Sequence, residues 1–165
     1  MNFKCYDVVE IQGKRYVVTE VISYQEFIIE KTVNYTLNDE MYNNELGTHK
    51  GAKNWTEYGL MPVDGEDKKW LTIVNGEKDY CTFSETILRS TPPKGYKLYD
   101  KGLQRVISVK GESKARSGDK ADYKEYRTIK NDKTYVFFIE DWHGGLTDQA
   151  QGERIRLSDV HRRRD

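Results

Sequence analysis

The sequence predicts an all-β protein with little helix, built from two related hairpin or meander units that form small barrels or a sandwich. Three observations predict it. Short strand-like runs alternate with turn residues along the chain. No window keeps helical periodicity for ten residues. The chain also repeats itself: residues 54–87 and 122–160 each open on aromatic-x-Glu-Tyr (Trp55 to Tyr58; Tyr123 to Tyr126). Each then has a polar turn, an aromatic run, a Gly-Glu step (Gly76-Glu77; Gly152-Glu153) and a Ser-acid close (Ser84-Glu85; Ser158-Asp159). Internal similarity of this kind bears on architecture before any local reading.

Taken in order, Asp7–Ile11 and Arg15–Ile22 flank Gln12-Gly13-Lys14 and read as a hairpin. Phe27–Tyr35 continues in strand character, and Asn38–Asn54 is a long polar segment, read as a loop or frayed hairpin. Trp55–Val63 and Lys69–Val74 form a hairpin about Asp64-Gly65-Glu66-Asp67. Asn75-Gly76 is a strong turn signal and leads into Asp79–Phe83. Ser84–Leu88 reads as one helical turn capped by Ser84. Pro92-Pro93 cannot sit in a central strand, which places a boundary between a first unit, 1–90, and a second, 91–165, within one compact domain or two. Gly102–Lys110 is a strand and Gly111–Asp122 a polar loop. Tyr123–Lys130 and Thr134–Glu140 pair about Asn131-Asp132-Lys133, Trp142–Gln151 is loop-like, Glu153–Leu157 is the last strand, and His161–Asp165 is a frayed polar tail.

Composition narrows the function classes. The chain has 165 residues, 33% of them charged and 36% hydrophobic. Its 12 Tyr, 5 Phe and 3 Trp supply enough apolar bulk to argue against disorder. Net charge is zero but uneven: residues 1–90 hold 10 Lys/Arg against 15 Asp/Glu, and residues 91–165 hold 17 against 12. Attraction between the halves is the simpler reading, and a basic face for an acidic partner the other. Cys5 and Cys81 stand at no motif spacing and are expected as free thiols. MNFKCYDVVE carries no apolar stretch, so no signal peptide is expected. No window approaches 18 apolar residues, so no membrane-spanning helix is expected. A cytoplasmic location follows as the expectation.

The chemistry inventory is thin. His49, His143 and His161 fall at no metal-ligand spacing, so no metal and no cofactor are expected. There is no phosphate-cradling loop, no Gly-x-Ser-x-Gly elbow and no legible Cys–His pair, so no residue is assigned as catalytic. The candidate interaction surface is aromatic: Trp55, Tyr58, Trp70, Tyr123 and Tyr126, with Glu140 and Trp142. Cross-strand packing is the ordinary fate of such rings. Trp55 and Tyr58 differ by three, so a regular strand sends them to opposite faces.

The order of Trp55-x-Glu57-Tyr58, Trp70-Leu71, Val109-Lys110-Gly111-Glu112, Gly118-Asp119, Tyr123-x-Glu125-Tyr126, Glu140 and Gly152-Glu153 resembles a bacterial family known as domain of unknown function 4178. The resemblance covers roughly residues 15–160. The run before Glu140 departs from the family pattern: it is Phe137-Phe138-Ile139, where Leu-Ser is more usual. The family brings no activity and no catalytic residues. The resemblance implies a setting beside membrane-stress proteins, small membrane proteins and polyamine-synthase-like enzymes. The leading expectation is therefore a non-catalytic cytoplasmic interaction or accessory module with a protein partner. One alternative is a binder of nucleic acid or anionic lipid through the basic C-terminal half, against which the pI of 6.8 argues. Another is an enzyme with an acidic site near Glu140–His143.

Overall fold

The computed structural model describes residues 1–27 and 53–163. They form ten strands: β1 Val8–Ile11, β2 Lys14–Phe27, β3 Asn54–Pro62, β4 Lys69–Val74, β5 Tyr80–Ile87, β6 Lys97–Gly111, β7 Lys120–Lys130, β8 Lys133–Trp142, β9 Thr147–Arg156 and β10 Val160–Arg163. The expected strand beyond Phe27, most of the polar segment Asn38–Asn54, His49 and the tail's last two residues lie outside the described residues. The other hairpins fall where the turn residues place them. Asn131 and Asp132 both take positive φ, +52° and +64°, as a two-residue β-turn with right-handed twist requires.

Three expectations are corrected. Ser84–Ile87 is not a helical turn but the end of β5, paired with Gly152–Gln149 of β9. A ladder of backbone hydrogen bonds outweighs one capping hydroxyl. Most of the segment Trp142–Gln151 is strand: β9 starts at Thr147. The frayed tail is β10 as far as Arg163, paired to β1 with Arg162 and Arg163 facing Asp7 and Glu10 as ion partners.

All pairings are antiparallel, and β2 contacts both β3 and β6. The order β2-β3-β4-β5-β9-β8-β7-β6 thus returns to β2 as a closed eight-stranded barrel, with β1 and β10 alongside the first half of β2. Strands from both sides of residue 90 close this one barrel. The repeated segments are both three-stranded meanders, β3-β4-β5 and β7-β8-β9. They differ in hairpin length: six residue pairs join β3 to β4, and ten join β7 to β8.

A bulge at Thr19 decides what each face carries. Val18 pairs with Leu60 but Glu20 pairs with Gly59. Neighbours on β3 point to opposite faces, so β2 changes face there. Before the bulge, Tyr16 and Val18 join Phe3, Val9, Ile11, Tyr58, Leu60, Leu71, Cys81, Phe83, Leu157 and Val160 in the main apolar core. That core lies outside the barrel wall, roofed by the N-terminal segment, β1 and β10. After the bulge, Glu20, Ile22, Tyr24 and Glu26 face the lumen. Trp55 and Tyr58 do fall on opposite faces.

Cys5 and Cys81 are free. Cys81 is fully buried in the apolar core, and burial pushes its thiol up to about 11. A thiolate reagent is therefore expected to modify Cys5, which is half-buried, well before Cys81. Cys81 should react only at the rate of unfolding. Mass-spectrometric mapping of partly labelled native protein checks this, and equal labelling of both thiols contradicts it.

Candidate functional site: the barrel lumen

Residues paired across an antiparallel ladder share a face, and the pairings from Glu20 onward trace an inner wall. Ile22 pairs with Glu57, Tyr24 with Trp55 and with Val106, and Glu26 with Gln104. Gln104 pairs with Ala121, Tyr123 with Glu140, and Glu140 with Asp148. Four glutamates from three strands thus face one interior. Glu20 and Glu26 are 3% and 5% exposed, which places two carboxyl groups where ordinary barrels carry apolar side chains.

Buried carboxylates need partners, and some of these have them. Lys68 Nζ donates to Glu20 Oε2 at 2.5 Å, with its ammonium over the Trp70 ring at 4.4 Å. Lys53 pairs with Asp100 and lies 3.6 Å from Glu26 Oε2. Arg127 pairs with Glu125. The amide of Gln104, 2% exposed, donates to Glu140 Oε2. Gly59 makes this packing possible: a Cβ there would stand 2.5 Å from Glu20 Cγ.

The remaining acids are strained electrostatically. Burial, then the Glu140 and Glu20 charges, hold the Glu57 carboxyl well above the usual carboxylate range, and Lys68 offsets them only in part. Burial pushes Glu140 up to about 7, with the Gln104 hydrogen bond opposing and Asp148 adding. Burial chiefly raises the phenols of Tyr24 and Tyr123 as well. Among the described residues, no Lys or Arg lies within ion-pair distance of Glu57, Glu140 or Asp148.

Aromatic rings share the lumen. Trp55 stacks on Tyr24 at 5.5 Å and meets Tyr123 edge-on at 5.7 Å. Trp142 lies 6.4 Å from Tyr24, and its Nε1 donates to Asp148 Oδ2 at 3.0 Å. The structure thus brings Trp55, Trp70, Tyr123, Glu140 and Trp142 of the expected surface to the lumen side. It separates Tyr58 and Tyr126, which lie on the outer face. Tyr58 packs edge-on against Phe3 at 5.3 Å, and Tyr126 lies tilted against Phe137 at 6.3 Å.

Sequence reasoning missed Glu20, Tyr24, Glu26, Gln104 and Asp148. One signal was available: Glu20-x-Ile22-x-Tyr24-x-Glu26 alternates at period two, placing two acids on an otherwise apolar face.

Glu140 and His143 are not brought together. Glu140 points inward to Gln104, whereas exposed His143 pairs with Asp122 at 3.1 Å. Three of the described C-terminal arginines are also engaged. Arg154 bonds to Glu77 at 3.1 Å and to Thr82 at 3.0 Å, Arg162 lies 3.7 Å from Asp7, and Arg163 pairs with Glu10. Among the described residues no group of His, Cys, Asp and Glu is arranged to hold a metal ion, and no helix is long and apolar enough to cross a membrane.

Comparison with curated proteins found no match, and comparison with solved structures found none either. The family comparison is decisive where those are silent. Residues 5–157, nearly the whole chain and every strand that builds the lumen, match the family described as Domain of unknown function (DUF4178), and the chain belongs to that family.

Proposed function

We propose that the protein is a non-catalytic accessory module of the cytoplasm that acts by binding, with the barrel lumen as its ligand site and a protein partner outside. One observation carries the reading. A closed eight-stranded barrel is just wide enough to be filled by its own side chains or to hold one small ligand. Here the larger apolar core sits on the other face of the wall, and the interior sets carboxylates and aromatic rings among a smaller apolar group of Ile22, Val106, Ala121 and Val136. Buried acids cost stability, and a chain built for stability alone would fill this space with aliphatic residues.

Nucleic acid and anionic lipid are not the ligands in this reading. Arg154, Arg162 and Arg163 already neutralise acids of the protein itself, which leaves little counterion release to drive phosphate binding. We also read the two meanders as copies of one ancestral unit, Glu57 and Glu125 holding equivalent lumen-facing places. Superposition of Trp55–Ile87 on Tyr123–Val160 tests that.

The binding reading requires a lumen open to solvent. Fluorotryptophan labelling gives a fluorine resonance for each of Trp55, Trp70 and Trp142, assignable by single Trp→Phe variants. Trp55 and Trp142 are expected to show a clear solvent-isotope shift between water and deuterium oxide. If both lack it, the lumen is a sealed core and the reading fails.

A further inference from the structure

We propose that the lumen binds a compact organic ammonium cation, held by the carboxylates of Glu57, Glu140 and Glu26 against the rings of Trp55, Tyr24 and Trp142. This rests on the reading of the lumen as a ligand site and names the chemistry it takes.

The first support is charge. The described cations of the lumen are already spent: Lys68 on Glu20, Lys53 on Asp100 and Glu26, and Arg127 on Glu125. Glu57, Glu140 and Asp148 remain without one. The second support is independent of that cluster. Glu26 is 5% exposed, and although Lys53 pairs with it in charge at 3.6 Å, its Oε2 accepts no hydrogen bond. A buried carboxylate oxygen without a donor is an open valence. Glu26 faces Gln104 across the β2–β6 ladder, and Gln104 reaches on to Glu140, so the open oxygen lies on the same inner wall.

The rings decide the class of cation. A hard divalent ion wants a shell of oxygens, and the described acids do not form one. An ammonium group gains from aromatic faces as well as from carboxylates, and Trp55, Tyr24 and Trp142 stand among the acids. A neutral or anionic ligand would leave the acids uncompensated.

The test uses the full chain and two probes of one shape: choline, and its neutral isostere 3,3-dimethylbutan-1-ol, at matched ionic strength. Titration calorimetry and the fluorine resonances of Trp55 and Trp142 follow binding. Choline is expected to bind at least about tenfold more tightly than the alcohol, a preference within the range of cation–π and ion-pair gains. Glu57→Gln and Glu140→Gln are each expected to weaken choline about tenfold while keeping a cooperative melt. Equal binding of both probes overturns the cation and leaves the lumen an apolar ligand site. Displacement of choline by equimolar calcium also overturns it. If neither probe binds although Trp55 shows its solvent shift, the cation proposal falls alone. If the shift is missing too, both readings fall.

Discussion

Gly152→Ala is expected to destabilise the protein by about 3 kcal/mol or more, which lowers Tm by about 6–12 °C for a chain of this size. Gly152 lies in the middle of β9, opposite Ser84 of β5 and Val136 of β8. A Cβ there would stand 2.1 Å from the Phe83 carbonyl oxygen and 2.6 Å from Ser84 Cα. Both are backbone atoms, so no rotamer change relieves the clash, and β5 must move away from β9. That ladder is where the first-half strands join the second-half strands on this side of the barrel. Elsewhere an alanine would gain about 0.4–1 kcal/mol by restricting the unfolded chain, and the clash must exceed that. A second variant separates backbone from side-chain crowding. Adding Ser84→Gly removes the Cβ contact at 2.7 Å but not the carbonyl, so it should not rescue the melt. Denaturant titration of both variants measures this. A Gly152→Ala protein within about 0.5 kcal/mol of the parent, the range of an ordinary surface change, shows that the close approach is absent.

Most strands were legible because their physical signals are local. Tyr16–Ile22 is β-branched, Asn131-Asp132 makes its turn from its own φ preferences, and Pro92-Pro93 interrupts pairing wherever it stands. The misread segments are those decided by a distant strand. Ser84 has the look of a cap, but β9 lies beside it. Thr147–Gln151 is too polar to announce a strand, and becomes one because β8 offers a ladder. His161-Arg162-Arg163 reads as a tail, and is held because Glu10 and Asp7 supply counter-charges. The lumen was only half visible for a deeper reason. Alternation in an antiparallel sheet normally means apolar inward and polar outward. Here one extra residue at Thr19 swaps the faces of β2, so Glu20 and Glu26 enter the barrel interior while Tyr16 and Val18 pack outside it. Sequence marks the alternation but not the bulge, and so marks which residues share a face without saying which face is inside.

Glu140→Gln is expected to raise Tm at pH 8 and leave it almost unchanged at pH 4. Glu140 faces Tyr123 of β7 and Asp148 of β9, accepts from Gln104 of β6, and shares the lumen with Glu57, Glu20 and Lys68. Burial is the first cause that pushes its carboxyl up to about 7 from an ordinary 4.5. The folded state therefore holds this proton more tightly than the unfolded chain does. Stability from it is complete below about pH 4.5 and is lost as pH rises to about 7. A shift of that size sets an upper limit of about 3 kcal/mol at pH 8, which corresponds to about 6–12 °C in Tm. Glutamine stays neutral throughout and can still accept from Gln104, so it avoids this loss. Thermal melts of both proteins at the two pH values test it. A gain that is the same at pH 4 and pH 8, or a loss at pH 8, shows that the Glu140 charge is not confined in the fold. The same variant should bind choline about tenfold more weakly, which sets stability against ligand at one carboxyl group. Because a bound cation favours the ionised acid, choline affinity of the parent protein should rise between pH 6 and pH 8, over the interval in which the fold loses stability.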